Sequence, residues 1–150
     1  MKSIFSWMFI LLCITTEAQA GAVEDEILKL QREQGQAFLA GNLDNLMEHY
    51  AENAVLVAAE PPFRHDGKRA IRAYYAQLFK DFPTRRGSPE KPSIRLFNDR
   101  TVVMHRYQTN TYVDSTGNEK YKEQKRNVAF VWVKMGERWL LTDHIISVLP

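Results

Sequence analysis

Two neighbouring residues near the C-terminus, Asp143 and His144, are the sequence's candidates for moving a proton. An acid or imidazole enclosed by apolar side chains has a displaced pKa and can act as a catalytic acid or base at neutral pH. Arg126, Tyr107 or Tyr50 could orient such a group, and a tyrosine or Arg126 could stabilise an enolate oxygen forming opposite it. Because the two candidates are adjacent, a strand sends one inward and the other outward. The turn at 133–138 decides which. If Lys134 pairs with Glu137, Asp143 shares a side with Arg126; with one more residue in the turn, His144 takes that side. Either residue also reads as half of a buried polar pair holding two strands together, or as a dimer contact, with no chemistry attached.

Other residues could shape a binding site. Tyr50, Tyr74, Tyr75, Phe79, Trp132 and Trp139 would suit a ring-shaped or acyl ligand, and they read equally well as ordinary core. On the segment 101–113, His105 and Tyr107 share a side with Thr109 and Thr111, while Arg106, Gln108, Asn110 and Tyr112 take the other. This polar row is either a pocket lining or the rim of an interface. Glu60 and His65-Asp66 fall on loops, at a pocket mouth or simply in turns. The four histidines are too scattered for a helical metal-binding pair, and no metal is expected. No glycine-rich phosphate loop and no G-x-S-x-G elbow occurs, so no cofactor is expected either.

These residues need elements to hold them. Three helices come first, at about 23–40, from Asn42 to about Tyr50, and at about 68–80. Gly41 stops the first and Asn42 can cap the second, whose Leu43, Leu46, Met47 and Tyr50 form one face. A short strand is expected at 55–58, followed by a break at Pro61-Pro62 and a turn at His65-Asp66-Gly67. Pro83 and the prolines at 89 and 92 mark a loop. Strands follow at 94–97, 101–113, 119–133 and 138–149, the last three joined by short turns into an antiparallel meander. Helices early and strands late indicate an α+β domain with the helices on one face of the sheet.

Both faces of the last two strands are apolar. Val128, Phe130 and Trp132 oppose Ala129, Val131 and Val133; Trp139, Leu141 and Ile145 oppose Leu140, Ile146 and Val148. Helices can cover only one face, so a second copy of the chain is expected on the other, making a homodimer through the sheet.

The first twenty residues read as a cleavable leader. Lys2 is followed by an apolar run at 4–14 and then by Ala18-Gln19-Ala20, a small-x-small cleavage pattern. Cleavage after Ala20 would place the mature chain in the periplasm or outside the cell. The run is too short to span a bilayer comfortably, and no membrane association is expected once it is removed. Cys13, the sole cysteine, would leave with it, so the mature domain would hold together by packing, without disulfides. The 150 residues are 45% hydrophobic and 25% charged with a net charge of +2, and the basic clusters at 85–86 and 120–126 are small or interrupted by acids. Nucleic acid is therefore not an expected partner.

Three stretches resemble the nuclear transport factor 2-like superfamily, in its SnoaL-like and calcium-calmodulin-dependent kinase association-domain-like branches. Ala40-Gly41-Asn42-Leu43 through Tyr50-Ala51-Glu52-Asn53-Ala54 is similar to the "A-x-G-D … Y-A-x-D-A" opening, Gly67-Lys68-Arg69-Ala70-Ile71 to the "G-x-x-A-I" start of the third helix, and Gly136, Trp139, Asp143-His144 and Ser147 to the "G-x-W … D-H-x-S" ending. The resemblance implies a cystatin-like α+β cone in which a curved sheet wraps three N-terminal helices around one pocket. It implies no single activity, since such folds serve isomerases, cyclases, dehydratases and non-catalytic assembly modules alike. Three functions stay open: binding of a small apolar or acyl ligand, with Tyr50, Tyr74, His105, Tyr107, Arg126 and Trp139 as lining; proton transfer by Asp143 or His144; and assembly through the sheet. In the kinase association branch, pocket arginines sit on the middle strands. Gln108 stands where one of them would be, and Ala129 or Phe130 near another, so that branch's anion pocket is not implied here.

Overall fold

The computed structural model describes residues 5–150, with side chains from Gln19 onward. Helix α1 (Phe5–Ala40) precedes α2 (Leu43–Glu48), strand β1 (Tyr50–Val57), β2 (Arg64–Asp66), helix α3 (Lys68–Asp81), and strands β3 (Thr84–Pro89), β4 (Ser93–Asn98), β5 (Thr101–Val113), β6 (Glu119–Met135) and β7 (Arg138–Val148). The expected leader falls partly on residues 1–4, outside the described residues; from Phe5 the helix runs unbroken past Ala20. Among the described residues no helix is long and apolar enough to cross a membrane.

One sheet holds every strand in the order β2-β1-β7-β6-β5-β3, with β4 also paired to β5. The β5–β6–β7 meander is antiparallel as expected, and β1 joins it in parallel along β7. The three helices pack on one face, which makes this the α+β arrangement that the sequence indicates. Strand β3 was not expected, because Thr-Arg-Arg-Gly-Ser-Pro has little intrinsic β preference. It forms by laying its backbone along the free edge of β5, from Thr84 opposite Val113 to Pro89 opposite Gln108.

The interior is built by two periodicities. From α3 come Ile71 and Tyr75, with Tyr74, Leu78 and Phe79 partly buried beside them, at helical spacing. From the meander come Val102 and Met104, then Val128, Phe130 and Trp132, then Trp139 and Leu141, at strand spacing. Ile27, Leu46, Met47, Tyr50 and Leu56 close the core.

The C-terminus of α1 is held by one side chain. Buried Arg85 donates to the carbonyls of Phe38, Leu39 and Phe82 and lies 4.2 Å over the Phe79 ring. Phe38 and Leu39 lie in the last turn of α1 and Phe82 at the end of α3, where intrahelical partners run out, so the guanidinium supplements what remains, such as the 3.2 Å bond from the Gly41 amide to Phe38. Gly41 lies beneath it at φ 71°, where an added Cβ would stand 2.7 Å from Arg85 Nη2. The chain then turns into α2, which Asn42 caps by accepting from the Asn45 amide.

Two irregularities bend the meander. In β6, Tyr121 and Glu123 both adopt positive φ where the β5 pairing jumps from Asn110–Gln124 to Tyr112–Lys120. This folds Tyr121 back against Tyr112, at 5.6 Å edge to face. In β7, Thr142 is an extra residue: Leu141 pairs with Trp132 but Asp143 pairs with Val131. The turn itself is tight, with Met135 opposite Arg138 and Gly136 at φ 62°. Continued without interruption, that register would set Asp143 opposite inward-facing Phe130. The bulge instead sets His144 there.

The bulge corrects two sequence expectations. Ile145 does not share a side with Trp139 and Leu141; it faces outward at 44% exposure, and Ile146 packs against the core. Asp143 points away from the helices, and its carboxylate accepts from Thr142 Oγ1.

Candidate ligand cavity

A cavity of about 230 Å³ lies between α1, α3 and the inner face of the meander. Its floor is Phe130, His144 and Ile146; its walls are Phe38 and Leu39 from α1 and Tyr74, Tyr75 and Leu78 from α3; the inward row of β5, Arg106, Gln108, Asn110 and Tyr112, forms the remaining side. The exposed residues Arg32, Gln36, Ser88 and Pro89 mark its mouth, between α1 and β3. An apolar cavity of roughly 150 Å³ accepts benzene, so this one has room for a single substituted ring or a short acyl chain.

His144 is 5% exposed, and its ring stacks on Phe130 at 4.5 Å between centroids. Its Nδ1 lies 2.7 Å from Tyr50 Oη and 3.4 Å from Tyr75 Oη, and the two phenols are 3.1 Å apart. Burial pushes both phenols well above their ordinary range, so they stay protonated and donate. The two hydroxyls hydrogen-bond to each other, and either can be the donor. A phenol donates more readily than it accepts and an imidazole nitrogen is a strong acceptor, so the Tyr50 proton is assigned to His144 Nδ1. Burial, with the Arg106 cation adding to it, pushes the imidazole down to about 3. His144 is therefore neutral with Nδ1 accepting, and its one ring proton sits on Nε2. The cavity is offered an N–H, not a lone pair.

Arg106 is the cavity's interior cation. Its guanidinium lies 5.3 Å over the Phe130 ring and donates from Nε to Gln108 Oε1 at 3.2 Å. Burial alone pushes its pKa down to about 10, which leaves it charged at neutral pH. Among the described residues no aspartate or glutamate lines the cavity.

Of the residues singled out in the sequence, Tyr74, Tyr75 and His144 line the cavity, as does the row Arg106, Gln108, Asn110 and Tyr112, and Tyr50 stands directly behind His144. Trp139 is core, with Nε1 donating to Glu26. Arg126 is buried between the rings of Tyr112 and Tyr121, each 5.2 Å away, and donates to Gln124; it lies across the ladder from Gln108 and does not line the cavity. His105, Tyr107 and Asp143 project from the opposite face of the sheet and do not reach it. For His105 and Tyr107 the reason is alternation from the buried Val102 and Met104; for Asp143 it is the Thr142 bulge. Glu60, His65 and Asp66 are also absent from the mouth.

The sequence reading missed Gln31 and Gln34, which are buried on α1 and bonded to each other at 3.0 Å. The signal was present: Ile27, Gln31, Gln34 and Phe38 form one stripe at i, i+4, i+7 and i+11, and two amides in a core-facing stripe need polar company. Arg106 was placed in the right row without a role.

Residues 32–140 match the SnoaL-like domain family. The chain belongs to that family. Solved structures share the SnoaL-like fold at low identity. An NTF2-like protein of unknown function from Pseudomonas putida KT2440 has a TM-score of 0.74 at 16% identity, covering 85% of this chain and 87% of that one. A candidate calcium/calmodulin dependent protein kinase II association domain from Xanthomonas campestris gives 0.73 at 22%, covering 83% and 86%. A candidate dehydratase of the NTF2-like family from Streptomyces avermitilis gives 0.74 at 12%, covering 84% and 96%. At these identities the likeness establishes the fold and leaves activity to the site. The chain matches no curated protein.

The buried neutral imidazole makes stability depend on pH. In the unfolded chain His144 protonates near pH 6.5, whereas in the fold it resists down to about 3. Stability is thus complete above about pH 6.5 and falls as pH drops through that window, by about 1.4 kcal/mol per unit for this group. His49 and His65, also lowered by burial, act in the same direction. Denaturant titrations of His144→Gln between pH 7 and 4.5 should show a shallower loss than the native protein. An unchanged slope would place a charged or exposed imidazole at 144.

Proposed function

We propose that this SnoaL-like domain binds a small molecule with a flat or acyl body in the cavity between α1, α3 and the meander. The single observation behind this reading is a water-accessible cavity whose greater part is aromatic and aliphatic, with a few convergent polar groups at one end, the usual composition of a small-molecule site. Proton transfer is the weaker alternative. With no carboxylate among the described lining residues, the base would have to be His144, and its accepting nitrogen is already occupied by Tyr50. Relatives of this fold include candidate dehydratases, so the alternative is chemically conceivable, but these side chains supply donors rather than a base.

The binding reading is tested by thermal shift and calorimetry with monocyclic aromatics and with four- to eight-carbon acyl compounds. Binding should be abolished or weakened at least tenfold by Leu78→Trp, which fills the cavity from α3 without touching its polar end. Binding that survives this substitution unchanged would locate the ligand elsewhere.

Assembly and location belong to the same proposal. The outer face of the meander leaves Val131, Val133 and Leu140 only partly buried and Tyr107 and Ile145 exposed at 45% and 44%. A second copy laid on this face would remove them from water, and a homodimer is the assembly we propose. Ile145→Lys should shift the native protein from dimer to monomer in sedimentation equilibrium; a native protein that is monomeric at high micromolar concentration would contradict it. The leader reading places the domain outside the cytoplasm. The N-terminus of protein recovered from a secreting cell's extracytoplasmic fraction should be Gly21, and a retained Met1 would oppose export.

A further inference from the structure

We infer that the ligand of this cavity carries one carboxylate, received by the guanidinium of Arg106 and the Nε2–H of His144; this rests on the binding reading above. The first ground is the charge of the lining. Among the described residues Arg32 and Arg106 line the cavity and no acidic residue does, so the site is a cationic enclosure without its own counter-charge. Arg32 is exposed at the mouth, where water screens it. Arg106 is not: burial is the sole influence on its pKa, and no neighbouring carboxylate acts on it. Its polar partner is the neutral Gln108 carbonyl, and its flat face rests on Phe130. A half-buried cation without an anion still carries a desolvation cost, and an apolar side chain of similar length would sit there more cheaply. The expense is explained if the missing anion arrives with the ligand.

The second ground is the direction of the neighbouring hydrogen bonds. Tyr50, which is hydrogen-bonded to Tyr75, is assigned as the donor to His144 Nδ1, and this leaves the neutral imidazole with a single N–H, on Nε2. Arg106 and His144 flank the Phe130 ring from β5 and β7, the first at 5.3 Å and the second at 4.5 Å, and all three line the same cavity. Gln108, whose carbonyl is taken by Arg106, adds only amide N–H groups to that end. A planar guanidinium fork matches the two oxygens of a carboxylate, and a single interior charge in a space of about 230 Å³ suits a monoanion rather than a phosphate ester. The body of the ligand would then lie along Phe38, Tyr74, Leu78 and Ile146. The substrate class is an aryl or short-chain acyl acid.

The test compares matched pairs differing only in charge: benzoate with benzamide, phenylacetate with phenylacetamide, hexanoate with hexanamide. Titration calorimetry of the intact protein at pH 7 should show the acid of at least one pair binding ten times more tightly than its amide. Arg106→Gln should remove the acid's advantage and bring acid and amide to the same affinity. Equal affinities in the native protein, or a preference that survives Arg106→Gln, would overturn the inference and leave the binding reading standing. If neither member of any pair binds, the inference and the reading beneath it fall together. Should Arg106→Gln fail to fold, a crystal of the native protein with the tightest-binding acid decides the matter. A carboxylate within hydrogen-bond distance of Arg106 is expected, and a carboxylate turned toward the mouth would refute it.

Discussion

One inserted residue, Thr142, governs what the interior of this domain can do. The hairpin at Gly136-Glu137 sets a register that, carried straight on, would turn the Asp143 carboxyl in toward Phe130. The extra residue reverses the alternation of β7 beyond Leu141 and turns in an imidazole instead. An inward carboxylate would have neutralised Arg106 and given the cavity a base. An inward imidazole leaves the arginine unpaired and gives the cavity a donor. The character of the site is therefore a consequence of backbone register as much as of residue type.

The surrounding elements make that register worth keeping. Tyr50 begins the strand that runs parallel to β7, and its hydroxyl reaches back to His144. Tyr75, from α3, completes the cluster of hydrogen bonds. Helix and strand layers thus meet at one ring nitrogen. A buried hydrogen-bonded cluster of this kind restricts its side chains to few arrangements. The same layers are anchored at the other end by Arg85, which ties the end of α1 to the start of β3 and so holds the two edges of the cavity mouth together. The two inward arginines of the β5–β6 pair have different roles: Arg126 is enclosed by Tyr112, Tyr121 and Gln124, whereas Arg106 faces open volume.

Much of the fold was legible because it is repetitive. The third helix and the strand 101–113 follow directly from spacing and flanking turns, and the order of elements suffices for the α+β cone. What was not legible depends on single residues or on partners distant in sequence. Strand β3 takes its conformation from the edge of β5 and not from its own composition. The choice between Asp143 and His144 turned on a bulge that no local pattern announces, since Leu141-Thr142-Asp143 is ordinary strand sequence. Gln31 and Gln34, by contrast, were readable as polar residues in an apolar stripe. His105 and Tyr107 were in the right strand on the wrong face, and only burial of Val102 and Met104 decides the phase.

His144 lines the cavity as a neutral imidazole whose proton is assigned to Nε2. Nitrogen-15 NMR of the two ring nitrogens, followed across pH 5 to 8, tests this assignment directly. The account requires a protonated-type shift at Nε2, an unprotonated-type shift at Nδ1, and no titration in that range. A ring that titrates near pH 6.5, or one whose proton lies on Nδ1, would contradict it.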